Sequence, residues 1–212
     1  GSTYKLASVT LGTANTIAGS ATFSGNLAAT TITVNSGNHN DDDSALIVTG
    51  TTTATTLNVS ATTAANTANS TATLTGNVVS PTINITAGTN AGAIANAALN
   101  VKGDVTASTL FKFTDAAGNG TGTLTTNGTG DQTITGAITA STQTEGAITN
   151  SNTGGTVTFA SNIGATTKEV GTITTATGTT TVFDGIVFGG KGTLDGTVTV
   201  NKAFKLESDG AG

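Results

Sequence analysis

One acidic loop holds the densest group of oxygen atoms that could bind a cation. Asp41, Asp42 and Asp43 are consecutive, and Asn38 and Asn40 lie just before them. Ca²⁺ takes about six to eight oxygen ligands, which flexible acidic loops can supply. Consecutive side chains point in different directions on an extended chain, so a charged, solvated loop is the alternative interpretation. The three aspartates are candidate calcium ligands, and we expect no other cofactor.

The chain offers little material for catalysis. His39 is the single histidine, but the acids beside it in sequence do not form a nucleophile–histidine–acid triad, and no G-x-S-x-G nucleophile motif occurs. Polysaccharide-cleaving enzymes with a β-helix fold need clustered carboxylates or basic groups, whereas this chain has few glutamates and no arginine. We therefore expect a protein without enzymatic activity. The scattered aspartates are interpreted as turn formers: Asp104, Asp115, Asp131, Asp184 and Asp195.

Pairs of threonines separated by one apolar residue recur along the chain. On a β-strand the apolar residue faces inward and both threonines face outward. In a regular solenoid such threonines would form a flat hydroxyl array, as in ice-binding solenoids, although threonine is also the default surface residue of a strand. An array needs the same face in every coil, and the irregular second half of the sequence argues against it. The pairs span 31–33, 73–75, 133–135, 156–158, 172–174 and 197–199.

A glycine-centred repeat organises residues 21–123. Gly25, Gly50, Gly76 and Gly103 recur about every 26 residues, an interval typical of solenoid repeats. Each glycine lies between two short segments in which apolar and polar residues alternate. One copy cannot bury its apolar face alone, but stacked copies can. The residues two positions before each glycine are all apolar: Phe23, Val48, Leu74 and Val101.

The repeat predicts an all-β protein folded as a parallel β-solenoid. We expect a single domain over residues 1–212 with about eight coils. Residues 124–212 continue it less regularly, and the chain is expected to be a fragment of a longer protein. An antiparallel β-sandwich is the alternative, because it also has short strands separated by turns. The recurrence of about 26 residues and the shortage of Asn-Gly hairpin turns favour the solenoid.

Composition excludes several classes of partner. The net charge is −5, and every cationic side chain is a lysine. The chain therefore has no guanidinium group that could make two parallel hydrogen bonds to a phosphate or a base. We therefore expect no nucleic-acid partner. Cysteine is absent, which excludes disulfides. No apolar run is long enough to cross a bilayer, so we expect no membrane insertion in this segment.

Several segments resemble repeats of known surface proteins. The runs at 156–164, 170–185 and 191–200 resemble β-strand repeats of autotransporter passengers, haemagglutinin-like adhesins, rickettsial outer-membrane proteins and S-layer proteins. The run at 98–109 also resembles phage tail-fibre repeats. The resemblance implies a secreted, non-catalytic structural or adhesive protein at the bacterial cell surface, with itself or a host or cell-surface receptor as partner. A tail-fibre segment and a threonine-array ice-binding solenoid are the alternatives.

Overall fold

The structure is a computed structural model, and it shows an all-β chain. It describes residues 5–12, 18–36, 42–61, 67–88, 94–115 and 120–206. Within these ranges the chain forms 21 strands and no helix, and the paired strands run parallel. The high content of threonine, valine and glycine accounts for this, since β-branched residues favour strands and glycine disfavours helix.

The strands are short, with turns or loops between them. In chain order they are β1 (Leu6–Leu11), β2 (Ser20–Phe23), β3 (Leu27–Asn35), β4 (Ser44–Val48), β5 (Thr52–Ala61), β6 (Ser70–Leu74), β7 (Val78–Val79), β8 (Thr82–Ala87), β9 (Ala97–Val101), β10 (Val105–Thr106), β11 (Leu110–Asp115), β12 (Gly122–Thr126), β13 (Gln132–Thr135), β14 (Ile138–Ala140), β15 (Glu145–Asn150), β16 (Thr156–Phe159), β17 (Val170–Thr175), β18 (Thr180–Phe183), β19 (Val187–Leu194), β20 (Thr197–Val200) and β21 (Phe204–Leu206).

The strands form two parallel sheets that share one interior. The nine-stranded sheet has the order β2-β4-β6-β9-β12-β15-β17-β19-β21, and the other strands form a twelve-stranded sheet. Each turn of the chain adds a strand to the first sheet and then one or two strands to the second. The predicted parallel β-solenoid is confirmed, and the sandwich is not supported because the described strands pair in parallel.

The solenoid has about six turns, fewer than the eight predicted. Among the described strands, the units from β4–β5 to β17–β18 are paired on both sides. At the ends, β2 pairs only with β4, and β20 pairs only with β18. The prediction of eight was too high because it divided the whole chain by the repeat length, and so counted incompletely covered ends as full coils.

Aliphatic and aromatic side chains line the interior in continuous rows. Leu57 pairs with Ile83, and Ile83 with Phe111, and all three are fully buried. A second interior row, which passes through Val105 and Ile134, becomes aromatic in the C-terminal half, where the ring centroids of Phe159 and Phe183 lie 5.4 Å apart and the rings are nearly parallel. Each turn therefore covers the apolar face of the previous one, which a single repeat cannot do for itself.

The repeated glycines stack at one corner of the solenoid. A Cβ atom on Gly50 would lie 2.6 Å from the carbonyl carbon of Gly25, and one on Gly76 would lie 2.5 Å from that of Gly50. On Gly103 it would lie 2.7 Å from the carbonyl carbon of Gly76. No side chain fits between backbones this close, which explains why glycine recurs in each of these turns.

Beside the glycine corner, side-chain oxygens join successive turns. Asn26 Oδ1 accepts a hydrogen bond of 2.9 Å from the amide of Thr51, and Asn77 Oδ1 one of 3.1 Å from the amide of Asp104. Asp104 Oδ1 in turn accepts one of 2.8 Å from the amide of Thr133. The same contact joins Asp131 to Thr156, and at a second corner, between β16 and Ile163, it joins Asn162 to Ile186. These side chains satisfy amides at a corner where strand pairing is interrupted.

Candidate functional site

The acidic loop lies only partly within the described residues. Asp41 and His39 are outside them. Asp43 Oδ1 accepts hydrogen bonds from the backbone amide of Asn69 at 2.6 Å and from its Nδ2 at 3.2 Å. In the described part of the chain, no three acidic, histidine or cysteine side chains lie where they could hold a metal ion. Calcium binding by Asp41, Asp42 and Asp43 stays a prediction.

Asp43 belongs to a structural ladder that continues over the next turns. Asn69 Oδ1 accepts a hydrogen bond of 3.0 Å from the amide of Asn96. Asn96 Oδ1 accepts one of 2.9 Å from the amide of Thr121. Each oxygen thus accepts a hydrogen bond from the residue just before the next strand of the nine-stranded sheet. Asp43 therefore has a structural role in joining two turns.

The Thr-x-Thr pairs have the predicted orientation but do not share one sheet. Ile32, Ile134 and Ile173, each between two threonines, are buried, while the flanking threonines face outward. The pair at 172–174 lies on the nine-stranded sheet. The pairs at 31–33, 133–135, 156–158 and 197–199 lie on the twelve-stranded sheet. The Thr-x-Thr pairs identified in the sequence therefore do not form a single array.

The nine-stranded sheet nevertheless presents a regular threonine surface. Strand pairing places Thr125, Thr149, Thr174 and Thr193 in one outward row over successive turns. The expectation that the irregular second half would prevent such an array is wrong for this sheet. Its register is kept there because the loops absorb the length differences. We call the following residues the threonine face: Thr123, Thr125, Thr149, Thr172, Thr174 and Thr193.

The twelve-stranded sheet carries an outward row of amides. Asn84 Nδ2 donates a hydrogen bond of 2.9 Å to Asn58 Oδ1 of the preceding turn. Asn58 Nδ2 lies 3.4 Å from Thr33 Oγ1 and donates to it. Asparagine side chains therefore form an outward ladder on this sheet, which ends at Thr33. In this row each asparagine amide donates to the side chain of the preceding turn, and Lys112 continues the row beyond Asn84.

A groove crosses the nine-stranded sheet where its later strands begin. Gly122, Gly146, Gly171 and Gly190 are aligned there by the pairing of their neighbours, and we call them the glycine row. A Cβ on Gly171 would lie 2.5 Å from the carbonyl oxygen of Thr144, so no side chain fits at this position of the row. The groove has a volume of about 440 Å³. Its other lining residues are Asp115, Thr121, Thr144, Thr172 and Lys191.

Asp115 joins two turns at the wall of this groove. Its Oδ1 accepts a hydrogen bond of 2.8 Å from the Gly122 amide, and its Oδ2 one of 2.7 Å from the Gly146 amide. Burial raises the pKa of Asp115, the two amides oppose the rise, and the charge of Glu145 adds to it. The net pKa lies above the ordinary value for a carboxyl group.

Sequence reasoning missed both the groove and the role of Asp115, which it grouped with the turn-forming aspartates. A second repeat could have identified the site. The runs beginning at Gly122, Gly146 and Gly171 all read glycine, small residue, aliphatic residue, threonine. Their spacing is close to that of the first glycine repeat, but the glycines occupy a different position in the turn.

Comparison with other proteins gives no guide to these surfaces. No protein-family model matches the chain, and no curated protein or solved structure matches it significantly. Within the described ranges no helix is long and apolar enough to span a membrane. Function therefore has to be inferred from the two outward surfaces, the groove and the ends of the solenoid.

Proposed function

We propose that the chain is a non-catalytic structural module, a rigid extracellular rod at the bacterial cell surface. The observation that carries the proposal is the continuous in-register stacking of both sheets. With about 4.8 Å between strands, the nine-stranded sheet alone extends over roughly 40 Å. Its length is set by the number of turns, so the fold suits a spacer or stalk. The outward rows of small polar side chains support a solvated surface.

Bending such a rod would break several kinds of contact at once. The glycine corner fixes the backbone spacing, the asparagine and aspartate ladders tie each corner to the next, and the interior rows are buried. Because each turn contacts mainly its neighbours, the stability of the rod is expected to grow with the number of turns. This favours a mechanical role over one that needs large conformational change.

The ends of the described solenoid support self-association. Leu6 lies over the buried Ala29 but is 50% exposed, because no turn among the described residues covers it. At the other end Val200 lies over the buried Phe183 and is 39% exposed. Both residues belong to interior rows that continue to the end of the stack. A second copy of the chain, placed head to tail, would extend the same rows and the same parallel pairing.

Scattering and electron microscopy test the rod and its assembly separately. Small-angle scattering at low concentration should give an elongated particle, and an isometric one would contradict the rod. At higher concentration the chain should form linear stacks that are visible by electron microscopy.

Val200→Lys puts a charge on the uncovered end and should abolish stacking, whereas Thr199→Lys adds the same charge on the outward face and should not. Equal behaviour of the two variants would contradict head-to-tail association.

A second candidate function, ice binding, is favoured by the threonine face. Threonines in one row are spaced about 4.8 Å apart, and those two residues apart on one strand are separated by roughly 7 Å. The uninterrupted row from Thr125 to Thr193 repeats hydroxyl and methyl groups at a regular spacing, which is suited to a regular solid such as ice. Thermal hysteresis of the wild-type chain tests it. Thr149→Lys should abolish the effect and Thr158→Lys, on the other sheet, should not; no hysteresis in the wild type rejects this function.

A further inference from the structure

We propose that the groove over the glycine row binds a short neutral saccharide. The site does not depend on the proposed rod function, because it is built entirely within one chain. Its volume of about 440 Å³ lies within the range of small-molecule sites, about 300–1,000 Å³. One or two sugar rings would fill a groove of this size.

The groove carries hydrogen-bonding groups of both kinds. Each carboxylate oxygen of Asp115 accepts one backbone hydrogen bond. An ionised carboxylate has about four acceptor positions, so Asp115 can still accept from a ligand. Lys191 is exposed and supplies donors from its ammonium group. Thr144 and Thr172 add hydroxyls, which both donate and accept. Sugar hydroxyls also do both, and so match this lining.

The two charges in the groove favour a neutral ligand over an ion. Asp115 accepts hydrogen bonds from amides of β12 and β15, whereas Lys191 lies on β19, two strands beyond β15 in the sheet. The separation is about 10 Å from strand spacing alone. A cation would be repelled by Lys191 and an anion by Asp115. A single carboxylate in the lining is also too few hard ligands for Ca²⁺.

Thr144 packs against the glycine row and forms part of the floor of the groove. Gly146, Gly171 and Gly190 present backbone without side chains. A Cβ on Gly190 would lie 3.0 Å from the Gly171 carbonyl oxygen and 3.1 Å from Thr144 Cγ2. Thr144 has a φ of 61°, a backbone conformation that is rare and strained for a β-branched residue. This strained residue lies at the groove, where strain is typical of ligand sites.

Titration with free sugars, followed by NMR of the backbone amides, tests the site. The probes are glucose, galactose, N-acetylglucosamine, maltose and cellobiose, added to the full chain at up to tens of millimolar. At least one sugar should shift the amides of Gly146 and Gly171. Lys191→Ala should weaken its binding about tenfold, as expected for loss of a charged hydrogen bond. Lys102→Ala, which removes another exposed lysine, should leave binding unchanged.

A second pair of variants tests the position of the ligand. Thr172→Leu adds bulk inside the groove, while Thr174→Leu adds it to the same strand outside the groove. Binding should be lost in the first variant and kept in the second. The proposal is overturned if none of the five sugars shifts the groove amides. It is also overturned if the two lysine variants, or the two leucine variants, bind alike.

Discussion

Asn150 Nδ2 donates a hydrogen bond of 2.7 Å to Thr181 Oγ1 of the next turn, and both side chains are buried. Asn150 Oδ1 also accepts from Thr126 Oγ1 at 3.1 Å and from the amide of Asn152 at 2.9 Å. Asn152 Nδ2 in turn donates to Gln132 Oε1 at 2.8 Å. This network replaces part of the aliphatic interior in the later turns, and it is satisfied across successive turns.

Asn150→Ala should destabilise the fold by about 3 kcal/mol, because it leaves several buried polar groups without partners. Urea unfolding measures the change in the free energy of unfolding. Asn100→Ala removes an outward, half-buried asparagine on the same sheet and should change it by no more than about 0.5 kcal/mol. Equal unfolding midpoints for the two variants would show that the internal network contributes nothing particular to stability.

Gly76→Ala should destabilise the fold by about 1–3 kcal/mol through overpacking. Its new methyl group would meet the backbone of Gly50 at 2.5 Å. Gly25 occupies the same position at the end of the stack, where a Cβ would have no heavy atom within 4 Å. Gly25→Ala should therefore be tolerated. Thermal unfolding of both variants checks this, and similar losses of stability would contradict the stacked corner.

Asp115 should make stability depend on pH with a defined sign. Because its pKa is raised in the folded state above the ordinary value of 3.8, folding favours the protonated form. The stabilising contribution is fully present below the unfolded pKa and is lost as pH rises through the folded pKa. The comparison is the free energy of unfolding against pH for the wild type and for Asp115→Asn, which does not titrate.

In that comparison the wild type should gain stability relative to Asp115→Asn as the pH falls through the folded pKa. Other carboxyl groups titrate in both proteins and largely cancel in the difference. A flat difference curve would contradict the burial of this carboxyl group. A curve in which the wild type loses stability on acidification would mean that the two amide hydrogen bonds outweigh burial.

The first half of the fold could be predicted because its corner tolerates one residue type. Backbones approach too closely there for a side chain at Gly50, Gly76 or Gly103, and these glycines mark the turns in the sequence. The alternation of apolar residues then identifies the inward rows. The ladders beside the corner give a weaker signal, because asparagine and aspartate serve equally well as acceptors.

The later turns were harder to interpret because their interior is partly polar. Gln132, Asn150 and Asn152 resemble surface residues by type, and their burial is favourable because they hydrogen-bond to one another and to groups in neighbouring turns. The groove was missed for a related reason. Asp115 depends on amides in two later turns, and contacts between turns cannot be read from local sequence.

Distances along one outward row test the central claim, that the turns stack in parallel. Thr22, Thr73, Asn100 and Thr193 occupy the same row. The chain has no cysteine, so paired spin labels can be attached to engineered cysteines. From Thr193, double electron–electron resonance should give about 19 Å to Asn100, 24 Å to Thr73 and 34 Å to Thr22. Distances that do not increase in this order would contradict the parallel solenoid.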